Sequence, residues 1–139
     1  MRDEDTAAVD RFILNRIDSV PHLEALLLLW RSRSEVQAQG SEPPDGIWPP
    51  ERLAKRLWVT PEAARNILRD LQREELIVGV ARGDERYFYQ SETELDRIIE
   101  AVESVYAQEM VRISNMIHSK ASAAVRDFAR AFRFKKEQE

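Results

Sequence analysis

Arg65, Asn66, Arg69 and Arg73 are spaced so that a helix over their segment carries them on one side, together with Glu62. Ala63, Ile67, Leu68 and Leu71 fall on the opposite, inward side. Guanidinium and carboxamide groups make paired hydrogen bonds to the edges of guanine and adenine, and arginine also meets phosphate. The plainer reading of the same residues is an ordinary solvated helix face. Glu62 suits a cytosine edge or, more simply, the positive N-terminal end of its own helix.

Other chemistry finds little support. There is no cysteine, which excludes disulfides, thiolate metal sites and thiol nucleophiles. His22 and His118 are the two histidines, and neither has a carboxylate or a second histidine at ligand spacing nearby in the chain, so a structural or surface role is expected. The four glycines are scattered and form no phosphate-binding loop. Carboxylates are dispersed, and Glu24 and Glu109, the two in apolar stretches, read as helix-face residues. No catalytic residue, metal site or cofactor is expected, and the chain reads as a non-enzyme.

The elements that would position the arginines follow from local signals. Pro49-Pro50 opens a short helix over residues 51–57, and Trp58-Val59 ends it. Thr60 can cap a second helix with Pro61 at its first position, and that helix runs to about residue 75. Two β-rich runs, 77–81 and 86–89, are joined by Arg82-Gly83-Asp84-Glu85, a tight-turn sequence. Helix, turn, helix, hairpin is the winged-helix order. Arg82 and Arg86 flank the turn, where they meet phosphate or only keep the hairpin soluble. Lys55 and Arg56 on the first helix have the same two readings.

Upstream, Val9, Phe12, Ile13 and Ile17 mark one helix, and residues 20–33 a second that is apolar around most of its circumference and is capped by Asp18 or Ser19. Residues 37–46 read as a surface loop. Downstream, Ser91 and Glu94 have capping-box spacing, and no breaker follows until about Ser119, a helix of roughly 40 Å. Leu95, Ile98, Val102, Val105, Tyr106 and Ile113 lie on its apolar stripe, which is too long for one small domain to cover and is expected to face a second copy. Glu109 interrupts a strict heptad, so a mixed helical interface is expected. A last helix over 121–134 adds Phe128 and Phe132 to that interface, and its Arg126, Arg130, Arg133, Lys135 and Lys136 either widen the basic footprint or complement the helix dipole.

At 139 residues, 43% of them apolar, the chain fits one domain: N-terminal helices over 1–36, the winged helix-turn-helix over 47–90, and dimerisation helices over 91–139. The expected fold class is mainly α with a small β-hairpin wing. Net charge is −4, but residues 51–90 hold eight basic against seven acidic side chains, so any affinity for DNA rests on arrangement instead of excess. No apolar run is long enough to span a bilayer and no leader is evident, so a cytoplasmic protein without membrane partners is expected.

In element order the chain resembles the MarR-like winged-helix transcriptional regulators, with a short strand near Ile47-Trp48 before the motif and a long helix after the wing. The resemblance implies a two-fold dimer built by the first and last helices, a second motif helix in the major groove, and a wing reaching toward the minor groove. Asp84-Glu85-Arg86 is similar to that family's Asp-x-Arg wing signature, in which the arginine meets DNA and the aspartate orients it. The second wing strand continues as Tyr87-Phe88-Tyr89-Gln90-Ser91 in place of the family's Leu-Thr ending. Trp30, Trp48 and Trp58 are expected near the junction of core and motif, packing the core or lining an effector pocket as in some members. The expected function is sequence-specific binding of duplex DNA by a homodimeric transcriptional regulator, through Thr60, Glu62, Arg65, Asn66, Arg69, Arg73, Arg82 and Arg86. The alternative is a winged-helix adaptor that binds protein.

Overall fold

The computed structural model describes residues 3–35, 46–80 and 83–137. Within them the chain forms helices α1 (Asp3–Arg16), α2 (Val20–Arg31), α3 (Pro50–Leu57), α4 (Pro61–Arg73), α5 (Thr93–Gln108) and α6 (Met110–Glu137), and strands β1 (Val78–Val80) and β2 (Arg86–Phe88). It is mainly α with one small antiparallel hairpin, as composition and periodicity led one to expect. Residues 37–45 and Arg82 lie outside the described residues, as does the side chain of Phe132.

The apolar circumference of α2 has a direct structural meaning. Leu23, Ala25, Leu26, Leu27, Leu29 and Trp30 are buried, and α3, α4 and α5 pack around them. Ser19 Oγ caps the helix by accepting from the His22 backbone N–H at 3.3 Å, with Pro21 in the first turn. The helix ends at Arg31, two residues before the expected boundary, because the Ser32 hydroxyl donates to the Leu28 carbonyl at 2.9 Å and a 3-10 turn over Arg33–Glu35 follows. Trp48 Nε1 donates to the same Ser32 oxygen at 3.0 Å, which ties the segment before α3 onto the end of α2.

Thr60 Oγ1 accepts from the Ala63 backbone N–H at 3.1 Å, the cap expected for α4. The inward residues of α4 are Ala64, Ile67, Leu68 and Leu71; Ala63 is only half-buried, so the apolar stripe runs through Ala64 instead. The C-terminus of α4 closes with Glu75 in the left-handed region (φ 60°), Leu76 N–H donating to Leu71 O at 3.0 Å and Glu75 N–H to Gln72 O at 2.9 Å. Arg16 from α1 reaches this end, with Nε 2.9 Å from a Glu74 carboxylate oxygen and Nη2 donating to the Glu74 carbonyl. A cation at a helix C-terminus is favourable, and here it locks α1 to α4.

The hairpin pairs Val78 with Phe88, Gly79 with Tyr87 and Val80 with Arg86. The strand expected near Ile47-Trp48 is a single bridge: Trp48 N–H donates to Tyr87 O at 2.7 Å, and Tyr87 N–H to Trp48 O at 3.0 Å. A Cβ at Gly79 would lie 2.9 Å from the Gln72 amide and from the Tyr87 ring, so the close approach of β1 to α4 requires glycine there.

The C-terminal third departs from expectation in one consequential way. The long helix breaks at Glu109, ten residues before Ser119, and α6 then runs without interruption through the expected boundary for 28 residues, roughly 42 Å. Its first turn is fixed by Arg112, which bonds Glu109 at 2.9 Å and Asp10 of α1 at 2.9 Å. At the other end, the Glu92 carboxylate caps α5 by accepting from the Glu94 and Leu95 N–H groups, one position later than the Ser91 box would have placed the start.

Because the stripe is folded at Glu109, α1 and α2 cover it within one chain. Val102, Val105, Tyr106 and Ile113 are at most 6% exposed, buried with Ile99, Ile117 and the α1 residues Val9, Ile13 and Ile17. Leu95 and Ile98 are half-buried against the same core. The premise that one chain cannot cover this stripe is therefore corrected. What lacks cover is the far half of α6, where every described side chain beyond Lys120 is exposed, Phe128 at 74%. Among the described residues no helix is long and apolar enough to cross a membrane.

Candidate nucleic-acid interface

Period-two alternation along β2 sends Glu85 and Tyr87 toward α4 and Arg86 outward. Glu85 consequently sits between two arginines of α4. Its Oε2 accepts from Arg65 Nε at 2.8 Å, its Oε1 from Arg69 Nε at 3.2 Å, and the Tyr87 hydroxyl donates to the same Oε1. The bond from Tyr87 and those from Arg65 and Arg69 outweigh the cost of burial and hold the Glu85 carboxyl below the usual carboxylate range. Burial and the neighbouring carboxylate push the Tyr87 phenol up to about 12.

The arrangement fixes guanidinium groups without neutralising their free edges. Arg65 and Arg69 spend their Nε donors on Glu85, which leaves terminal nitrogens for an outside acceptor. Arg65 Nη2 is also 3.9 Å from a Glu51 oxygen. Arg73 is mostly exposed and 3.5 Å from Asp70, one turn back. Thr60, Glu62 and Asn66 are exposed on the same helix, Thr60 at the cap and Glu62 in the acidic first turn. Arg86 is exposed and lines an open cleft with Pro49, Pro50, Glu51, Arg65, Asp84 and Glu85. Among the described residues no ion pair joins Asp84 to Arg86, the pair that the resemblance implies; Glu85 between them pairs instead with Arg65 and Arg69 of α4.

Several of these partners were missed in the linear reading. His22 was read as having no carboxylate nearby, yet its Nε2 lies 2.9 Å from Asp70 Oδ2, 48 positions along the chain, and the bond ties α2 to α4. Asp18, His22 and Asp70 bring donor atoms within 4.8 Å of one another, but Lys120 Nζ is 3.8 Å from Asp18, an ammonium where a metal ion would need negative charge. Glu24, on α2, accepts from the Tyr106 hydroxyl at 2.8 Å, as a helix-face residue should, whereas Glu109 lies at the break between α5 and α6, not on a helix face, and pairs with Arg112. The signal for Glu85 was present in the β2 alternation; the signals for Asp70 and Arg16 were not, since both contacts depend on how helices cross.

The three tryptophans do not share a site. Trp30 and Trp48 are buried, with Arg33 stacked 4.1 Å over the first and Arg52 3.9 Å over the second. Trp58 is 94% exposed. No family model, curated protein or solved structure matches the chain.

Proposed function

We propose that this chain is a winged helix-turn-helix regulator of the MarR-like kind, which binds duplex DNA in a sequence-specific manner as a homodimer. The observation that carries the reading is the clamp of Glu85 on Arg65 and Arg69. A carboxylate bridging two arginines of an exposed helix holds their planes in one orientation, which is what bidentate reading of base edges needs and what a merely solvated face does not. Asn66 lies between them on the open side of α4. Arg86 and the cleft at the foot of the hairpin supply a phosphate contact beside the groove.

Self-association is assigned to the far half of α6. Helical stability comes mostly from packing an apolar face, and a helix exposed on all described sides with Phe128 at 74% gains stability by lying against a second copy of itself. The test of the DNA reading is a titration of duplex against wild type and Arg65→Ala at several salt concentrations. The reading requires a linear fall of log affinity with log salt and a loss of about 1–3 kcal/mol in Arg65→Ala on the preferred site.

A second reading has its own observation. Glu51, Asp70 and Glu85 all pair with the arginines of α4, leaving a face of little net charge that also suits a protein partner. An affinity for protein that changes little with salt, together with no affinity for duplex, would favour that adaptor.

A further inference from the structure

Trp58 is the most conspicuous side chain on the surface. It occupies the turn between α3 and α4 with φ 58°, a left-handed conformation for which glycine is the default, and it is 94% exposed. Its backbone N–H and that of Val59 both donate to Ala54 O, so the turn itself needs only a residue that tolerates positive φ. Among the described residues nothing in the packing calls for an indole. A large aromatic ring held in water at a strained position is free to anchor a contact made with something else.

Its surroundings say what that partner is. Lys55 and Arg56 precede it on the last turn of α3, both exposed and, among the described residues, without a carboxylate partner. Thr60, Pro61 and Glu62 follow it, exposed, at the start of α4, with Glu62 the one acid of the corner. Two cations on the helical turn that precedes an aromatic ring complement a phosphate–sugar backbone, with the cations on phosphate oxygens and the ring on the apolar face of the sugar or a base.

We propose that Lys55, Arg56 and Trp58 form a second, sequence-independent contact with the DNA backbone, in which the indole packs on deoxyribose at the edge of the groove entered by α4. The proposal rests on the DNA reading above and adds to it a positioning contact outside the arginine face.

The test uses the protein's own fluorescence. Trp30 and Trp48 are 8% and 5% exposed, so acrylamide, a neutral quencher that leaves ionic strength unchanged, reaches Trp58 above all. A labelled random-sequence duplex is titrated at low salt with anisotropy and acrylamide quenching read together. Duplex binding should remove most of the quenchable emission. Trp58→Gly should lose roughly tenfold in affinity, equally on preferred and random duplexes, with a melting temperature no lower than that of wild type because glycine fits the left-handed turn. Duplex that binds while quenching stays the same, or a Trp58→Gly variant that binds like wild type, overturns this proposal and leaves the DNA reading standing. Absence of any duplex binding by wild type overturns both. The quenching experiment on wild type decides the point even if the variant fails to fold.

Discussion

Arg65 Nε donates to Glu85 Oε2 at 2.8 Å, so the helix that would read DNA and the hairpin beside it share one charged bond. Glu85 is at once the orienting group for two arginines and a negative charge next to the surface where phosphates would lie. Glu85→Gln separates these roles. Affinity for random duplex should rise severalfold as the repulsion is removed, while discrimination between preferred and random sites should fall, because Arg65 and Arg69 lose their anchor. Paired titrations on the two duplexes read both changes; unchanged discrimination would mean the clamp orients nothing.

The same carboxyl sets a pH dependence. Glu85 titrates below its ordinary value of 4.5, so its bonds contribute stability that is fully present above that value and lost as pH falls through the lowered one. Tyr87→Phe removes the donor that contributes most to the shift, and should bring the Glu85 titration back toward 4.5, so that the clamp is lost at higher pH than in wild type. Carboxyl NMR titration of the two proteins checks this. Identical Glu85 titration curves would count against the role given to the Tyr87 hydroxyl.

Val102 and Phe128 were both expected at a dimer interface, and the structure separates them. Val102 is fully buried in its own chain, so Val102→Asp should unfold the protomer, at a cost on the order of 4 kcal/mol or more for an unpaired charge in a core. Phe128→Asp should leave melting of the dilute protomer within about 0.5 kcal/mol and weaken self-association. Sedimentation and circular dichroism on both variants tell the two effects apart: a folded, monomeric Val102→Asp would place Val102 at an interface between copies instead.

Arg16 links α1 to the end of α4 through both the carboxylate and the carbonyl of Glu74. Arg16→Met keeps the stem and deletes the charge and the donors. A loss of about 1 kcal/mol is expected, modest because Arg16 and Glu74 are each more than one-third exposed. Chemical denaturation reads it, and a loss near zero would make the contact incidental.

The element order was readable because local signals produce it: Pro49-Pro50, the Thr60 cap and the alternation along β2 each act within a few residues. The outward arginines of α4 were readable for the same reason. The break at Glu109 was not, since neither glycine nor proline marks it and it is fixed by Arg112 reaching Asp10, 102 positions away. That break lets α1 and α2 cover Val102, Val105, Tyr106 and Ile113 within one chain, which spacing along a single helix does not reveal. The contacts of Asp70 with His22 and of Glu74 with Arg16 arise from helix crossings, and spacing along a single helix carries no information about them. Trp58 groups with Trp30 and Trp48 by residue type alone, whereas it occupies a left-handed turn and is 94% exposed while the other two are buried.

Sequence-specific recognition of duplex DNA by a two-fold dimer is tested by selection from a random duplex pool with the 139-residue chain, followed by sequencing. The expected result is enrichment of an inverted repeat whose half-sites lie about one helical turn apart, since two copies of α4 related by a two-fold axis would read the groove at that spacing. A pool that stays random after several rounds at low salt would contradict it.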